Sequence, residues 1–188
     1  MTLLPTPDIA PYLQLLPRPL KPGLYSAVGD QDLISWSLRA IAITFAPARR
    51  IVWIDAANQF NAHWIAQSAR AFHKDSKEVL RSFKYARPFT AFQLENMVNQ
   101  KLLPAVQSSR ALFAVIGDPI TLYEQAEDQS YATTHSFELF ANGLENLAKQ
   151  MAILLLIPSP KESLYYRKLL RISNKVVHPN LPQTLPSR

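Results

Sequence analysis

Three aspartates stand where α/β proteins often place reacting carboxylates. Asp55 ends the apolar run "RIVWID", Asp118 ends the run "ALFAVIGD", and Asp30 follows a third run, "GLYSAVG". Open α/β sheets bind ligands at the carboxyl ends of their strands. If the three carboxylates meet there, they could bind a divalent cation through their oxygens. The alternative is that each carboxylate caps the turn that follows its own strand.

Several kinds of chemistry are excluded by composition. The chain has no cysteine, which rules out disulfides, thiol catalysis and zinc held by cysteine. Its four histidines are far apart and show no HExxH spacing, so we predict no metal site at them. No GxSxG turn is present to carry a serine nucleophile.

Length, charge and hydropathy define the class of protein. A chain of 188 residues that is 48% hydrophobic fits one domain with a sizeable core. The net charge of +6 favours nucleic acid or an acidic protein surface as partner. There is no 18-residue apolar span and no signal-peptide pattern, so we predict a cytoplasmic protein without membrane contact.

Between two proline-rich ends, apolar strands alternate with amphipathic helices. This alternation predicts an α/β fold with a doubly wound, mostly parallel sheet and helices on both faces. The predicted domain organisation is an extended arm at 1–22, a core at 23–177 and a tail at 178–188. The predicted strands are 23–29, 50–55, 83–86, 111–118 and 152–159, with a final strand or hairpin at 164–177; the predicted helices are 32–46, 61–73, 90–106 and 136–151.

Three segments, in the right order and spacing, resemble the ATPase core of the RecA/RadA recombinase family. They are the "IDTEGTF"-like turn after the second strand, the "ARAF"-like strand end, and the Walker B strand with its following turn. The resemblance covers about residues 23–175 and implies a RecA-like fold. The matching residues are Asp55 and Phe60 in the first segment; Ala86, Arg87 and Phe89 in the second; and Asp118, Ile120, Thr121, Leu122 and Tyr123 in the third.

The departures from the family concern its ATP site. A Walker A loop needs several glycines, a lysine and a Ser/Thr, but here Gly29 is followed by Asp30 and Gln31. Ala57 stands where the family has the glutamate that activates water. The resemblance therefore implies an inactive paralogue that binds no cofactor, with Asp55 and Asp118 as remnants that cap turns. The predicted vestigial site is Gly29, Asp30, Gln31, Asp55 and Asp118.

The family holds DNA on loops that follow the Walker B strand and the strand near residue 157. The first loop, 124–135, is acidic here, whereas the second, 158–171, mixes cations with aromatics. Such a mixture suits a single-stranded backbone with stacked bases; alternatively, its two tyrosines belong to a strand, one facing in and one out. The candidate DNA-binding residues are Lys161, Tyr165, Tyr166, Arg167, Lys168 and Arg171.

Two functions of different classes follow from the resemblance. The first is a non-catalytic accessory in recombination or repair, which binds a recombinase, a RecA-like paralogue or itself, with single-stranded DNA as a further partner. Tyr12 and Leu13 in the proline-rich arm are the candidate anchors to the partner protein; the alternative is that the arm packs on its own domain. The second is a regulatory protein-binding module of the cell-division inhibitor or mutagenesis accessory type, without DNA contact. An enzyme is the third hypothesis.

Overall fold

The structure is a computed structural model that describes residues 20–44, 49–126 and 131–179. Strands and helices alternate along these ranges. The strands are β1 (Gly23–Gly29), β2 (Arg50–Asp55), β3 (Phe83–Ala86), β4 (Ala111–Gly117), β5 (Ala152–Pro158) and β6 (Lys175–Val177). The helices are α1 (Leu33–Thr44), α2 (Ala62–Ala71), α3 (Ser76–Arg81), α4 (Ala91–Asn96), α5 (Leu102–Ser109), α6 (Pro119–Glu124), α7 (Tyr131–Ala148) and α8 (Leu164–Ile172), with a π-helical turn (Met97–Lys101) between α4 and α5.

The strands form one six-stranded sheet in the order β3-β2-β4-β5-β1-β6. Every neighbouring pair is parallel. Asp55 is in register with Gly117 on β4, and Gly29 with Pro158 on β5. The carboxyl ends of β2, β4, β5 and β1 therefore lie along the same edge of the sheet.

Helices cover both faces of the sheet. From β1 to β3 the chain moves across the sheet in one direction, and α1, α2 and α3 pack on one face. After β3 the direction reverses, and the helices from α4 to α8 pack on the other face. Right-handed crossovers require this change of face when the direction reverses. The predicted doubly wound α/β fold is confirmed, with a sheet that is parallel throughout.

Strand β2 shows why the apolar run at its centre must be a strand. Val52 and Ile54 pack into the core under α4 to α8, whereas Ile51 and Trp53 pack into the core under α1 to α3. All four side chains are buried. A strand buried on both faces reads as a continuous apolar run rather than as an alternating one.

The predicted helix at 90–106 is present, with a local irregularity. Thr90 caps it as predicted, since its hydroxyl accepts from the backbone N–H of Gln93 at 3.2 Å. The π-helical turn that follows closes with a bond from the N–H of Leu102 to the carbonyl of Met97. Pro104 has no N–H, and its ring would clash with the carbonyl four residues earlier. Widening the preceding turn relieves this clash.

The segment 164–177 is not the strand or hairpin that the sequence predicts. It forms helix α8, followed by the short strand β6. Ser163 caps the helix by accepting from the N–H of Tyr166 at 3.2 Å. Tyr165 and Leu169, four residues apart, are buried, which is the spacing of one helix face. The prediction took an amphipathic helix of nine residues for an extended segment.

Two further differences concern the chain after β4. Helix α6 follows β4 directly and was not predicted. Helix α7 begins at Tyr131, five residues before its predicted start at 136. The predicted acidic loop at 124–135 is therefore helical at both ends, at Glu124 and from Tyr131 onward.

We predict that Tyr165→Ala lowers the free energy of unfolding by about 3 kcal/mol, because it removes a ring from a packed core. Tyr165 is 7% exposed, and its ring centroid lies 4.6 Å from that of Phe137 and 5.7 Å from that of Tyr123. Urea unfolding measures the loss as a lower midpoint at unchanged slope. Tyr166→Ala, at the partly buried neighbour, is the matched control and should cost clearly less. Equal losses would contradict the packing described.

Candidate functional site at the carboxyl edge of the sheet

The turn between β1 and α1 is the place where the resemblance would put a phosphate-binding loop. Only three residues, 30–32, separate the strand from the helix. A Walker A loop places four residues between its two glycines, before its Lys-Ser/Thr pair. In this turn the carboxylate of Asp30 accepts from the N–H of Asp32 at 2.9 Å, and the carbonyl of Asp30 accepts from the N–H of Leu33 at 3.2 Å. The turn is too short to surround a phosphate, and these N–H groups are already bonded.

Asp55 is fully buried at the end of β2. One carboxylate oxygen accepts from the N–H of Gln59 at 2.9 Å. The other accepts from the N–H of Phe60 at 2.9 Å and from the hydroxyl of Tyr85 at 3.2 Å. Burial, followed by the charge and hydrogen bond of Asp55, raises the pKa of Tyr85, which keeps the phenol protonated and donating. Three donors bind this carboxylate, so it holds the turn after β2. Ala57, within that turn, offers no proton acceptor.

Asp118 plays a similar part after β4, with fewer donors. Its backbone is left-handed, with φ of 48°, and its carboxylate accepts from the hydroxyl of Thr121 at 2.6 Å and from the N–H of the same residue at 3.4 Å. Burial raises the pKa of Asp118. The bonds from Thr121 act in the opposite direction, and the nearby charges of Glu124 and Asp55 raise the pKa further.

The three aspartates do not form a single centre. Asp55 and Asp118 follow neighbouring strands, but β5 separates β4 from β1, which precedes Asp30. In residues 20–44, 49–126 and 131–179, no three His, Cys, Asp or Glu side chains are grouped closely enough to hold a metal ion.

An open cleft of about 310 Å³ lies at this edge, between the β1–α1 turn, the start of α6 and the end of β5. Its charged side chains are Asp118, Glu124 and Lys161. The backbone of Ser159, with φ of 43°, ties the end of β5 to β1 through a 2.7 Å bond to the carbonyl of Gly29. Two carboxylates against one ammonium make the cleft unfavourable for a triphosphate.

Two of the four cations expected to bind DNA are paired with glutamates. Arg167 lies 3.2 Å from Glu162, and both side chains are largely exposed. Lys168 lies 2.8 Å from Glu138 and is only 17% exposed. An exposed pair such as Arg167–Glu162 contributes little to stability, and the arginine can bind another anion instead. Lys168 is less exposed, so its pair with Glu138 is less easily replaced.

The remaining candidates of this group differ in exposure. Lys161 and Arg171 are exposed, and Lys161 borders the cleft. Tyr166 is partly buried against the core. Tyr165 lies in the core against aromatic side chains of α6 and α7, so in this structure its ring is not available to stack on a base. This burial weighs against the prediction that Tyr165 binds DNA.

The predicted partner anchors, Tyr12 and Leu13, lie outside the described residues, as do the rest of 1–19 and 180–188.

An exposed aromatic pair escaped the sequence reasoning. Phe89 and Phe92 are 68% and 51% exposed on either side of the Thr90 cap. The guanidinium of Arg87 lies 4.9 Å from the centroid of the Phe89 ring. Both phenylalanines line an open cleft of about 400 Å³ together with Leu122 of α6. The available signal was "RPFTAF", in which two phenylalanines three residues apart flank a helix cap.

A scan against models of protein families finds none that matches the chain. A search of the curated proteins finds no similar sequence either. Within the described ranges, no helix combines the length and the hydrophobicity that crossing a membrane requires.

We predict that the protein shows no saturable binding of Mg-ATP in titration calorimetry. The physical reason is twofold: the turn is short and its carboxylates repel the phosphates. The variant Asp30→Lys/Gln31→Thr restores the residue types of a Walker A loop without restoring its length. It should also fail to bind. A dissociation constant in the low micromolar range for the wild type would contradict this prediction, and binding by the variant alone would show that charge was the only defect.

We also predict that Asp118→Asn stabilises the protein at pH 8. Asparagine tolerates the left-handed backbone, and its amide can still pair with Thr121 while avoiding the burial of a charge. An acid with a raised folded-state pKa contributes stability below its unfolded pKa and loses it as the pH rises through the folded value. The advantage of the asparagine variant should therefore shrink as the pH falls towards about 4.

Urea midpoints at a series of pH values measure this advantage. Asp75→Asn is the matched control, because Asp75 caps α3 with an exposed carboxylate. A gain that grows on acidification, or one that both variants share, would contradict the role assigned to burial at Asp118.

Proposed function

We propose that this protein is a non-catalytic, RecA-like accessory in DNA recombination or repair, which acts by binding a protein partner and hydrolyses no ATP. The partner is a recombinase, a RecA-like paralogue or a second copy of this chain. The observation that carries the proposal is the use of Asp30, Asp55 and Asp118, each of which accepts hydrogen bonds that hold its own turn. A protein that keeps this fold without an ATP site can still act by binding other molecules through its surface.

The surface that best suits a protein partner is the aromatic patch, defined as Arg87, Phe89, Phe92 and Leu122. Aromatic and arginine side chains are enriched at protein interfaces and supply much of their binding energy. Each exposed ring offers apolar area whose burial is favourable by about 25 cal/mol per Å². The Thr90 cap also fixes the backbone between the two rings, so little backbone freedom is lost on binding.

Single-stranded DNA is the second partner in this proposal. The exposed cations of α8, Arg167 and Arg171, are four residues apart and so share a face of the helix. Lys161 precedes them at the edge of the cleft. With Tyr165 in the core, contact here would depend on phosphate attraction more than on base stacking.

We predict that Phe89→Ser and Phe92→Ser each weaken binding to the recombinase of the same organism by at least about tenfold, or 1.4 kcal/mol. Sedimentation of the purified pair, with and without single-stranded DNA, measures the effect. Phe72→Ser is the matched control, because Phe72 is a 43% exposed phenylalanine at the end of α2, away from the aromatic patch.

Full affinity in both patch variants would remove the aromatic patch from the proposal. If the wild type binds neither a recombinase nor a related paralogue, and its mass shows no self-association, the accessory function itself is wrong. Stable binding of a protein from another process, without DNA retention, would favour the regulatory module instead.

A further inference from the structure

The opposite, amino edge of the sheet carries a cluster of cations that no motif predicted. Arg50 begins β2 and is in register with Ala111 on β4, which directly follows Arg110. Lys84 lies on β3, the other neighbour of β2. We call Arg49, Arg50, Lys84 and Arg110 the amino-edge patch. Its three arginines line an open cleft of about 450 Å³ together with Ser108 and Ser109 of α5.

No carboxylate of the described residues accompanies this patch. The residues that line the cleft are arginines and serines alone. None of the four cations forms a salt bridge with any residue of the described ranges. Lys84 donates to the hydroxyl of Ser108 at 3.3 Å, so its ammonium stays beside the cleft. All four residues are exposed. Like charges gathered without a counter-charge repel one another, and an anion bound between them would relieve that repulsion.

The backbone at Arg110 is a second, independent observation. Arg110 ends α5 in the left-handed conformation, with φ of 52°. Glycine is the usual residue there because it has no Cβ to strain, and asparagine is the usual exception. The dipole of α5 favours a cation at this end and offsets part of the strain. Arg110 forms no salt bridge with the described residues, so its charge is available to an anion at the cleft.

The aspartates that hold the strand turns are remote from the patch. Asp30, Asp55 and Asp118 lie at the carboxyl edge of the sheet, at the other end of the strands from the amino-edge patch. At that separation salt screens much of their repulsion of an anion bound at the patch.

We propose that the amino-edge patch binds the phosphate groups of a nucleic-acid backbone. Its cations lie on or directly before three adjacent strands, and such a row of charges suits a polymer that carries one charge per unit. Arginine forks bind phosphate oxygens in pairs. Among the described residues, no exposed aromatic side chain lines the cleft, so the contact reads no base and is independent of sequence.

This site goes beyond the proposed binding of a protein partner and does not depend on it, because the aromatic patch lies at the carboxyl edge. It is also distinct from α8, where the proposed function places a second DNA contact.

The test is fluorescence anisotropy of the full chain with a labelled 30-nucleotide single strand and with the corresponding duplex, from 50 to 200 mM salt. The variant Arg49→Gln/Arg50→Gln/Arg110→Gly removes three charges from the amino-edge patch. Glycine at position 110 suits the left-handed backbone, so the fold should be kept. The control, Lys21→Gln/Lys149→Gln/Lys175→Gln, removes three exposed cations near β1 and β6, on the far side of the sheet from β3, and gives the same net charge.

We expect the amino-edge variant to bind at least tenfold more weakly at 50 mM salt, and its salt dependence to fall by about two logarithmic units for three lost contacts with a single strand. The control that lacks Lys21, Lys149 and Lys175 should change much less. Equal losses in the two variants would reduce the effect to net charge and overturn the proposal, as would a larger loss in the control. Wild-type protein that binds vesicles of phosphatidylserine, or inorganic phosphate, but neither DNA would also overturn it.

Discussion

Parallel strands can be joined only by crossovers that leave the sheet and return, and these crossovers are right-handed. In this chain the direction of travel reverses once, after β3, and that reversal decides which helix lies on which face. It also makes chain segments diverge at the carboxyl ends of β2 and β4, and again at those of β1 and β5. Each of these ends needs a tight turn with its polar groups satisfied. The aspartates after β1, β2 and β4 meet that need.

The same constraint accounts for much of the charge pattern. Helices that return antiparallel to the strands have their amino ends at the carboxyl edge of the sheet and their carboxyl ends at the amino edge. The helix dipole favours anions at the first and cations at the second. Carboxylates at the turns into α1 and α6, and Arg110 at the end of α5, follow this rule. The rule does not account for Arg49 and Arg50, which precede and begin a strand.

The sequence is most informative where one local pattern decides the outcome. Strand β2 was predicted to the residue, because an apolar run closed by a charged residue at each end admits few alternatives. Helix α8 was missed because its sequence of nine residues, with two adjacent tyrosines, fits the alternating pattern of a strand as well as the spacing of a helix. The helix is decided by the packing of Tyr165 against aromatic side chains of α6 and α7.

At the site, the capping role of Asp55 could be anticipated, since inert residues follow it. Its bond to Tyr85 could not, because that bond exists only once β2 and β3 pair in register across thirty residues of chain. The amino-edge patch was hidden for a similar reason. Its cations come from three separate segments, and only the strand order brings them together.

Two residues with a left-handed backbone lie at opposite ends of β4, and they differ in their local hydrogen bonds. Asp118 leads out of the strand, and Arg110 leads into it. Aspartate is one of the few side chains that tolerates this backbone, because it can bond locally, and here it bonds to Thr121. The conformation and the cap therefore account for an aspartate at position 118. Arginine has no such local bond to offer. The dipole of α5 favours a cation at this position, and the charge of Arg110 lies at a cleft to which the described residues contribute no carboxylate.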